Sequence, residues 1–163
     1  MSERISKINY YLNIADEVSK RSTCLRRRYG SVIVNHDEIV STGYNGAPRG
    51  VENCTDHGIC TRKELNIPRG QRTEICRAVH SEENAIISAS RKDMIGGDLY
   101  LSGREVDTGD YVVNACSCSM CKKRIINAGI KNVYIRDNDR EYRKIPVEDW
   151  IHDVNALIGV EGY

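Results

Sequence analysis

Two short motifs constrain the fold of this chain more than any other feature. His80 and Glu82 stand at the start of one predicted helix, and Cys118 and Cys121 stand at the start of another. A neutral imidazole and two thiolates supply three zinc ligands and leave the fourth tetrahedral position open, as a catalytic rather than a structural site requires. Helix starts also suit thiolates because their positive ends favour negative charge. The fold is therefore expected to bring these two helix starts together.

Neither motif is specific by itself. A lone histidine near a helix start is more often structural, and a lone Cys-x-x-Cys pair divides between redox chemistry, zinc binding and chance. Two residues apart in a regular helix, His80 and Glu82 would point to nearly opposite sides, so His80 is expected at the turn into the helix. By itself, Glu82 in the first turn of a helix is an ordinary solvated carboxylate, which the helix dipole favours, and a catalytic role for it depends on the zinc ligands nearby.

Hydrophobic periodicity predicts the elements of the first half of the chain. Apolar residues recur at helical spacing over residues 5–20, at Ile5, Ile8, Leu12, Ala15 and Val18. Two short apolar runs, 31–34 and 38–42, indicate a hairpin, and the turn at 43–46 is expected to break its second strand. Residues 46–77 combine Gly, Pro and Cys with little periodicity, which predicts a long irregular excursion with a functional or stapling role.

The second half of the chain predicts helices that alternate with strands. The expected elements are, in order, a helix over 78–91, a strand over 98–101, a helix over 118–127 capped by Gly129, a strand over 133–135 and a helix over 147–157. This alternation indicates the α/β class, with one sheet covered by helices on its faces.

Composition excludes several classes of partner. The 163 residues suit one domain, and 24 Lys and Arg against 23 Asp and Glu give a net charge of +1, which does not favour nucleic acid or anionic membrane. The sequence contains neither a signal-peptide pattern nor the roughly 18 to 20 apolar residues of a membrane span. We therefore expect a cytoplasmic location. In that reducing compartment, seven cysteines indicate metal binding or catalysis rather than a disulfide framework.

The two motifs resemble the zinc-dependent cytidine and deoxycytidylate deaminase superfamily, whose HxE and CxxC signature is described for base deaminases. The likeness to the deoxycytidylate branch covers about residues 20–136, through RSTCLRRRYGSVIV, STGYNGAPRG, RAVHSEENAI and CKKRIINAGIKNVYI. It implies a three-layer α/β/α sandwich around one mixed sheet, formed by a single deaminase domain over residues 1–163 with a Cys-rich insertion at about 46–77. The implied reaction is hydrolytic removal of the 4-amino group of dCMP, which gives dUMP and ammonia.

The resemblance assigns roles to the two motifs. His80, Cys118 and Cys121 would bind the catalytic zinc, and Glu82 would be the proton shuttle. Glu82 would take a proton from the attacking water and deliver protons to N3 and to the leaving amine.

The resemblance also indicates contacts with the nucleotide. Asn45 would contact the deoxyribose, and the backbone amide of Ser81 would meet the pyrimidine carbonyl. Three consecutive arginines, 26–28, more often form a solvated face, and Arg26 is the one expected to face the phosphate. The deoxycytidylate branch further implies a homohexamer, activation by dCTP, inhibition by dTTP and a magnesium ion on the effector.

Four other cysteines suggest a second zinc. A closed site with four thiolates would staple the long excursion to the end of the first helix. The resemblance supports this site, because relatives in the deoxycytidylate branch often carry a noncatalytic zinc in this region. His57 would be the substitute ligand if one of the four cysteines does not bind the metal. The alternative is that some of the four are buried hydrophobes. The candidate ligands are Cys24, Cys54, Cys60 and Cys76.

The segment 103–117 departs from the family pattern. Ser117 replaces the usual proline before the first cysteine of the CxxC motif and is expected to cap the helix, while Cys116 is an alternative zinc ligand. The polar segment before it would reshape the pocket. The alternatives to dCMP are therefore another cytosine- or adenine-type substrate, or a zinc-stabilised binding module without turnover. The near-neutral charge disfavours tRNA, and Glu82 disfavours a purely structural site.

Overall fold

The computed structural model describes residues 3–158, which build one mixed sheet and its covering helices. Within these residues, seven α-helices precede, connect and follow the strands: α1 (Lys7–Ser19), α2 (Cys54–His57), α3 (Thr61–Glu64), α4 (Ser81–Ile87), α5 (Arg91–Met94), α6 (Ser119–Ala128) and α7 (Val147–His152). The strands are β1 (Arg27–Asn35), β2 (Glu38–Tyr44), β3 (Asp98–Glu105), β4 (Asn132–Arg136) and β5 (Tyr142–Pro146). Thr73–Ile75 and Val154–Leu157 form short 3-10 turns.

The five strands lie in the order β2-β1-β3-β4-β5. β1 pairs antiparallel with both β2 and β3, β3 and β4 run parallel, and β5 returns antiparallel to β4. A parallel pair needs a crossover connection, and α6 lies in the connection from β3 to β4. The CxxC motif therefore lies at the start of the crossover helix.

Helices cover both faces of the sheet. On one face, α1 buries Leu12 and Ala15 in a cluster with Val32 and Tyr100. On the opposite face, apolar residues of β1, β3 and β4 pack in a second cluster with residues of α4, α6 and α7. This arrangement confirms the predicted three-layer α/β/α sandwich around one mixed sheet. Among residues 3–158, no helix combines the length and apolar character needed to cross a membrane.

One glycine sets the distance between α4 and the sheet. A Cβ atom at Gly43 in β2 would lie 2.3 Å from the backbone nitrogen of Ala85 and 2.3 Å from the carbonyl oxygen of Ser81. Any larger residue at position 43 would push the helix away from the sheet. Gly43 and Tyr44, the first two residues of the GYNG segment, belong to β2. The expected break of the strand at 43–46 is therefore wrong, because β2 extends to Tyr44.

Several predicted boundaries are corrected. The helix expected over 78–91 divides into α4 and α5, and the helix over 147–157 divides at Asp153 into α7 and a 3-10 turn. Strand β5 was not expected. The excursion at 46–77 contains α2, α3 and a 3-10 turn, and α1 begins only at Lys7, which leaves Ile5 exposed before it.

Candidate metal centre

Three side chains meet in the interior between α4 and α6. His80, Cys118 and Cys121 are 2%, 1% and 0% exposed, and their potential ligand atoms all lie within 4.8 Å of one another. The Nδ1 atom of His80 is 3.4 Å from the sulfur of Cys118 and 3.4 Å from the sulfur of Cys121. We call this group the His-Cys-Cys cluster.

The geometry of the cluster fits zinc. Zn–S bonds of about 2.3 Å and Zn–N bonds of about 2.0–2.1 Å place a sulfur and a nitrogen about 3.6 Å apart in a tetrahedron. The two observed N···S distances of 3.4 Å are close to that edge. Three protein ligands also leave one tetrahedral position for water or substrate, which distinguishes a catalytic from a structural set.

Helix ends hold the three ligands. His80 is the N-cap of α4 with extended backbone angles (φ −72°, ψ 157°), and Cys118 is the N-cap of α6. Cys121 follows one turn later on α6, and Gly129 ends that helix in the left-handed conformation (φ 81°). His80 precedes the first helical residue, which confirms its predicted position at the turn into the helix, and both His80 and Glu82 are buried.

Glu83 connects the two helices, a role that the sequence did not indicate. Its Oε2 atom accepts a hydrogen bond of 3.1 Å from the backbone nitrogen of His80, and its Oε1 atom lies 2.8 Å from Nε of Arg124 on α6. One carboxylate therefore ties the start of α4 to the helix that carries both cysteines. The signal available in the sequence was the glutamate three residues after the N-cap, which is the spacing of a capping box.

The cluster stabilises negative charge on the sulfur of Cys118. Hydrogen bonds from Cys121 and His80 lower the pKa of Cys118 to about 4, against the opposing effect of burial. The pKa of Cys121 is raised, chiefly by its hydrogen bond with Cys118 and by burial. Burial alone would lower the pKa of His80, but its hydrogen bond with Cys118 gives a net rise. A buried pair of thiols and an imidazole with this electrostatics is suited to a cation.

Glu82 lies in the same interior. Its side chain is fully buried, and its Oε2 atom accepts a hydrogen bond of 3.1 Å from the hydroxyl of Ser81. Glu82 follows His80 by two residues at the start of α4, and its charge contributes to raising the pKa of both His80 and Cys121. This burial excludes the alternative of an ordinary solvated carboxylate.

A small cavity of about 40 Å³ opens beside His80. Asn45 and three arginines, 26, 27 and 62, line it together with three cysteines. Arg28 does not line the cavity and is exposed. The cavity therefore combines one ligand of the His-Cys-Cys cluster with three cationic side chains and with three of the cysteines predicted for a second zinc, Cys24, Cys60 and Cys76.

The contacts of Asn45 anchor it to β1. Its Oδ1 atom accepts a hydrogen bond of 2.8 Å from the backbone nitrogen of Tyr29, and its Nδ2 atom donates one of 2.9 Å to the carbonyl oxygen of Arg27. The amide is 2% exposed and its plane is fixed. Sequence reasoning missed Arg62, which is 4% exposed and donates to the carbonyl oxygens of Pro68 and Gln71 at 2.9 and 2.7 Å.

The other four predicted ligands, here called the loop cysteines, lie on the excursion and the segment before β1. Burial raises the pKa of the Cys54 thiol, and the charges of the other three raise it further, so the four lie near one another. Within residues 3–158, however, the only compact group of three or more potential ligands is the His-Cys-Cys cluster. His57 faces Glu52, with Nδ1 3.4 Å from Oε2. The loop cysteines are Cys24, Cys54, Cys60 and Cys76.

The segment before α6 corrects one expectation. Ser117 was predicted to cap α6, but Cys118 is the N-cap, and the hydroxyl of Ser117 is buried without a hydrogen-bond partner. The carbonyl of Ala115 accepts a hydrogen bond of 2.5 Å from Arg143 on β5. Cys116 is half-buried and does not belong to the compact group of ligands.

A three-layer sandwich with these ligands at two helix starts, beside a buried glutamate, has the architecture of a zinc-dependent deaminase domain. Residues 5–136 match the sequence profile of the cytidine and deoxycytidylate deaminase zinc-binding region. The chain belongs to that family and carries its zinc-binding region.

Similar proteins include the deoxycytidylate deaminases of Schizosaccharomyces pombe and Mycobacterium phage D29. The first is 34% identical over 125 residues, which cover 77% of this chain and 35% of that protein. The second is 34% identical over 129 residues, which cover 76% and 89%. The deoxycytidylate deaminase of Saccharomyces cerevisiae is also 34% identical, and 36% of it is covered. The chain thus spans about a third of the length of the two yeast relatives.

Solved structures confirm the fold. The dCMP deaminase of cyanophage S-TIM5 in apo form superposes with a TM-score of 0.58 at 24% identity, over 83% of this chain and 86% of that chain. The same phage enzyme, solved in complex with dCMP and dUMP, gives a TM-score of 0.57 at 23% identity, over 83% and 85%.

Proposed function

We propose that the chain catalyses the hydrolytic deamination of dCMP to dUMP and ammonia. The observation that carries this proposal is the fully buried carboxylate of Glu82 beside the His-Cys-Cys cluster. A purely structural zinc site has no need of an acid in that position. Relatives named deoxycytidylate deaminase, and a phage enzyme solved with dCMP and dUMP, support dCMP as the substrate.

The roles of the cluster follow from its donor atoms. His80, Cys118 and Cys121 would hold zinc, which supplies Lewis acidity toward a water molecule in the open position. Glu82 would pass one proton of that water to N3 as the water oxygen bonds to C4. It would then pass the remaining proton of the same oxygen to the amine as the bond from C4 to that nitrogen breaks, which gives the C4 carbonyl and ammonia. Burial of Glu82 keeps its carboxylate away from bulk water, so protons pass between it and the substrate.

Two of the proposed nucleotide contacts, Asn45 and Arg26, line the small cavity beside His80. Asn45 would contact the deoxyribose, and its hydrogen bonds to the backbone of Tyr29 and Arg27 fix its amide plane. Arg26 would face the phosphate, where a guanidinium can donate two parallel hydrogen bonds. Arg27 and Arg62 line the same cavity and add positive charge. The backbone amide of Ser81 would meet the pyrimidine carbonyl.

Ultraviolet absorbance tests the proposal directly. Purified zinc-loaded protein is expected to remove the cytosine band of dCMP, while Cys118→Ser protein is expected to leave it unchanged. Turnover of another cytosine- or adenine-type compound without turnover of dCMP would show that the chain is a deaminase with a different substrate. Silence with every substrate would favour a binding module and contradict the proposal.

We also propose a second, structural zinc on the four loop cysteines. Two observations support it: the charges of these thiols interact, and the raised pKa values of Cys54 and Cys76 reflect burial that a cation would offset. Their sulfurs are not a compact set, so closure of this site would accompany metal binding. Metal analysis is expected to give two zinc ions per chain in the wild type and one in Cys54→Ser protein. A single ion in the wild type would contradict the second site.

The remaining expectations concern the whole protein. We propose one deaminase domain over residues 1–163 with a Cys-rich insertion at about 46–77, assembled as a homohexamer in the cytoplasm. Activation by dCTP and inhibition by dTTP, with magnesium on the effector, complete the proposal. Light scattering tests the hexamer, and a shift by dCTP from sigmoidal to hyperbolic kinetics tests the regulation. Unchanged kinetics in the presence of either effector would contradict the proposed regulation.

A further inference from the structure

A chain of two buried hydroxyls ends on Glu82. The hydroxyl of Ser31 lies 2.8 Å from the hydroxyl of Ser81, and that of Ser81 lies 3.1 Å from Oε2 of Glu82. All three residues are 0% exposed. Ser31 is on β1, and Ser81 and Glu82 are the first two residues of α4, so the chain joins the sheet to the proposed catalytic group.

The position of Ser31 makes its hydroxyl informative. Side chains alternate along a strand, so Ser31 faces the same side as Tyr29 and Ile33, both of which belong to the apolar cluster under α4 and α6. A hydroxyl among apolar side chains costs free energy unless it is hydrogen-bonded. The hydrogen bond to Ser81 meets that need. An apolar side chain at position 31 would fill the core without needing any hydrogen bond, so the hydroxyl is not required for packing.

The direction of the hydrogen bonds follows from the chemistry of the carboxylate. An ionised carboxylate only accepts hydrogen bonds, so the hydroxyl of Ser81 donates to Glu82. The oxygen of Ser81 then accepts the hydrogen of Ser31. Hydrogen bonds aligned in this way polarise one another, and a bond to a charged acceptor is stronger than a neutral one.

Resting on the proposed function, we propose that Ser31 and Ser81 are positioning residues that hold the carboxylate plane of Glu82 in the orientation that proton transfer requires. Ser81 acts directly on Oε2, and Ser31 acts through Ser81. The hydroxyl role is separate from the proposed contact between the Ser81 backbone amide and the pyrimidine, because alanine retains that amide.

Steady-state kinetics with dCMP test this inference. Groups that orient a metal ligand or a carboxylate from outside typically contribute about 10- to 100-fold to activity. Ser81→Ala is expected to lower kcat by about that factor with KM within about twofold of wild type, and Ser31→Ala to lower kcat less. The double variant is expected to match Ser81→Ala alone, because Ser31 acts only through Ser81.

Ser41→Ala is the matched control. Its hydroxyl also joins a strand to α4, with a hydrogen bond of 2.7 Å to the carbonyl oxygen of Ala85, but does not contact Glu82. It is expected to keep kcat. Zinc content and melting temperature are measured for every variant, so that loss of metal or of fold is separated from misorientation. If Ser81→Ala fails to fold, Ser31→Ala carries the test through the same selective fall in kcat.

Three results would overturn the inference: an unchanged kcat in Ser81→Ala, a change in KM alone, or an equal loss in Ser41→Ala. Each of these leaves the proposed function standing, because the wild type still turns over dCMP. A wild type without activity on dCMP would instead overturn the proposed function, and the inference with it.

Discussion

The two groups of cysteines differ in what holds them in place. The ligand atoms of the His-Cys-Cys cluster lie within 4.8 Å of one another, and its three residues sit at the starts of α4 and α6, against the sheet. The loop cysteines lie on the excursion and the segment before β1, where α2 and α3 are each only four residues long. They do not form a compact group within the described part of the chain.

This difference separates preorganisation from metal-dependent closure. Long-range packing of α4 and α6 against one sheet holds the first group in place. Short helices and turns bury little apolar surface, so the second group would depend on the proposed second zinc for its order. The two groups should therefore respond differently to the same kind of substitution.

The largest expected effect follows removal of a ligand from the His-Cys-Cys cluster. Cys121→Ser protein is expected to lose one zinc ion and at least about 10³-fold of its activity, because the metal supplies the Lewis acid. Circular dichroism is expected to remain close to wild type, since the sheet and its helices hold this site. Cys116→Ser is the control and is expected to keep the metal. Zinc loss in Cys116→Ser with retention in Cys121→Ser would contradict the assignment of ligands.

An intermediate effect is expected at the loop cysteines. Cys54 is buried but does not line the small cavity, so Cys54→Ser separates the stapling role from substrate binding. Limited proteolysis is expected to cleave the 46–77 excursion about tenfold faster than in wild type, as for a local opening made easier by about 1.4 kcal/mol. Thr55→Ser, at the exposed neighbouring position, is the control. An unchanged cleavage rate in Cys54→Ser would mean that protein contacts alone order the excursion, which would contradict a stapling role for the second zinc.

The smallest expected effect concerns the tie between the two helices of the cluster. Arg124 is 48% exposed in its side chain, and ion pairs of that exposure contribute about 0.2–1 kcal/mol. Arg124→Gln is therefore expected to weaken zinc affinity by only about 1.4- to fivefold, measured by competition with a chelator. Arg72→Gln, which breaks a similar ion pair with Glu74 in the excursion, is the control. A loss above about tenfold would mean that the cluster is less preorganised than the geometry indicates.

The sequence predicted the cluster well because its signals are local. The spacings of His80 with Glu82 and of Cys118 with Cys121 report chemistry directly, and Gly129 marks the end of α6. Strand β5 escaped prediction because its residues, YRKIP, combine charge and a proline, as is typical of an edge strand. The interruption between α4 and α5 was equally hidden, since apolar spacing continued through Ala89.

The positioning residues could not be predicted from sequence for a different reason. The hydrogen bond between Ser31 and Ser81 joins residues 50 positions apart, and it exists only because β1 lies under the start of α4. Likewise, Arg62 looked like any charged residue of an excursion until the fold brought it to the small cavity. Contacts that depend on tertiary packing leave no local pattern.

The central claim is that Glu82 performs proton transfer beside the His-Cys-Cys cluster during deamination of dCMP. The most direct measurement is the rate of dCMP deamination by Glu82→Gln protein whose zinc content has been determined. General acid and base groups contribute about 10²- to 10⁴-fold, so we expect a loss of that size with the wild-type number of zinc ions retained. Deamination at a near wild-type rate with zinc retained would contradict the claim.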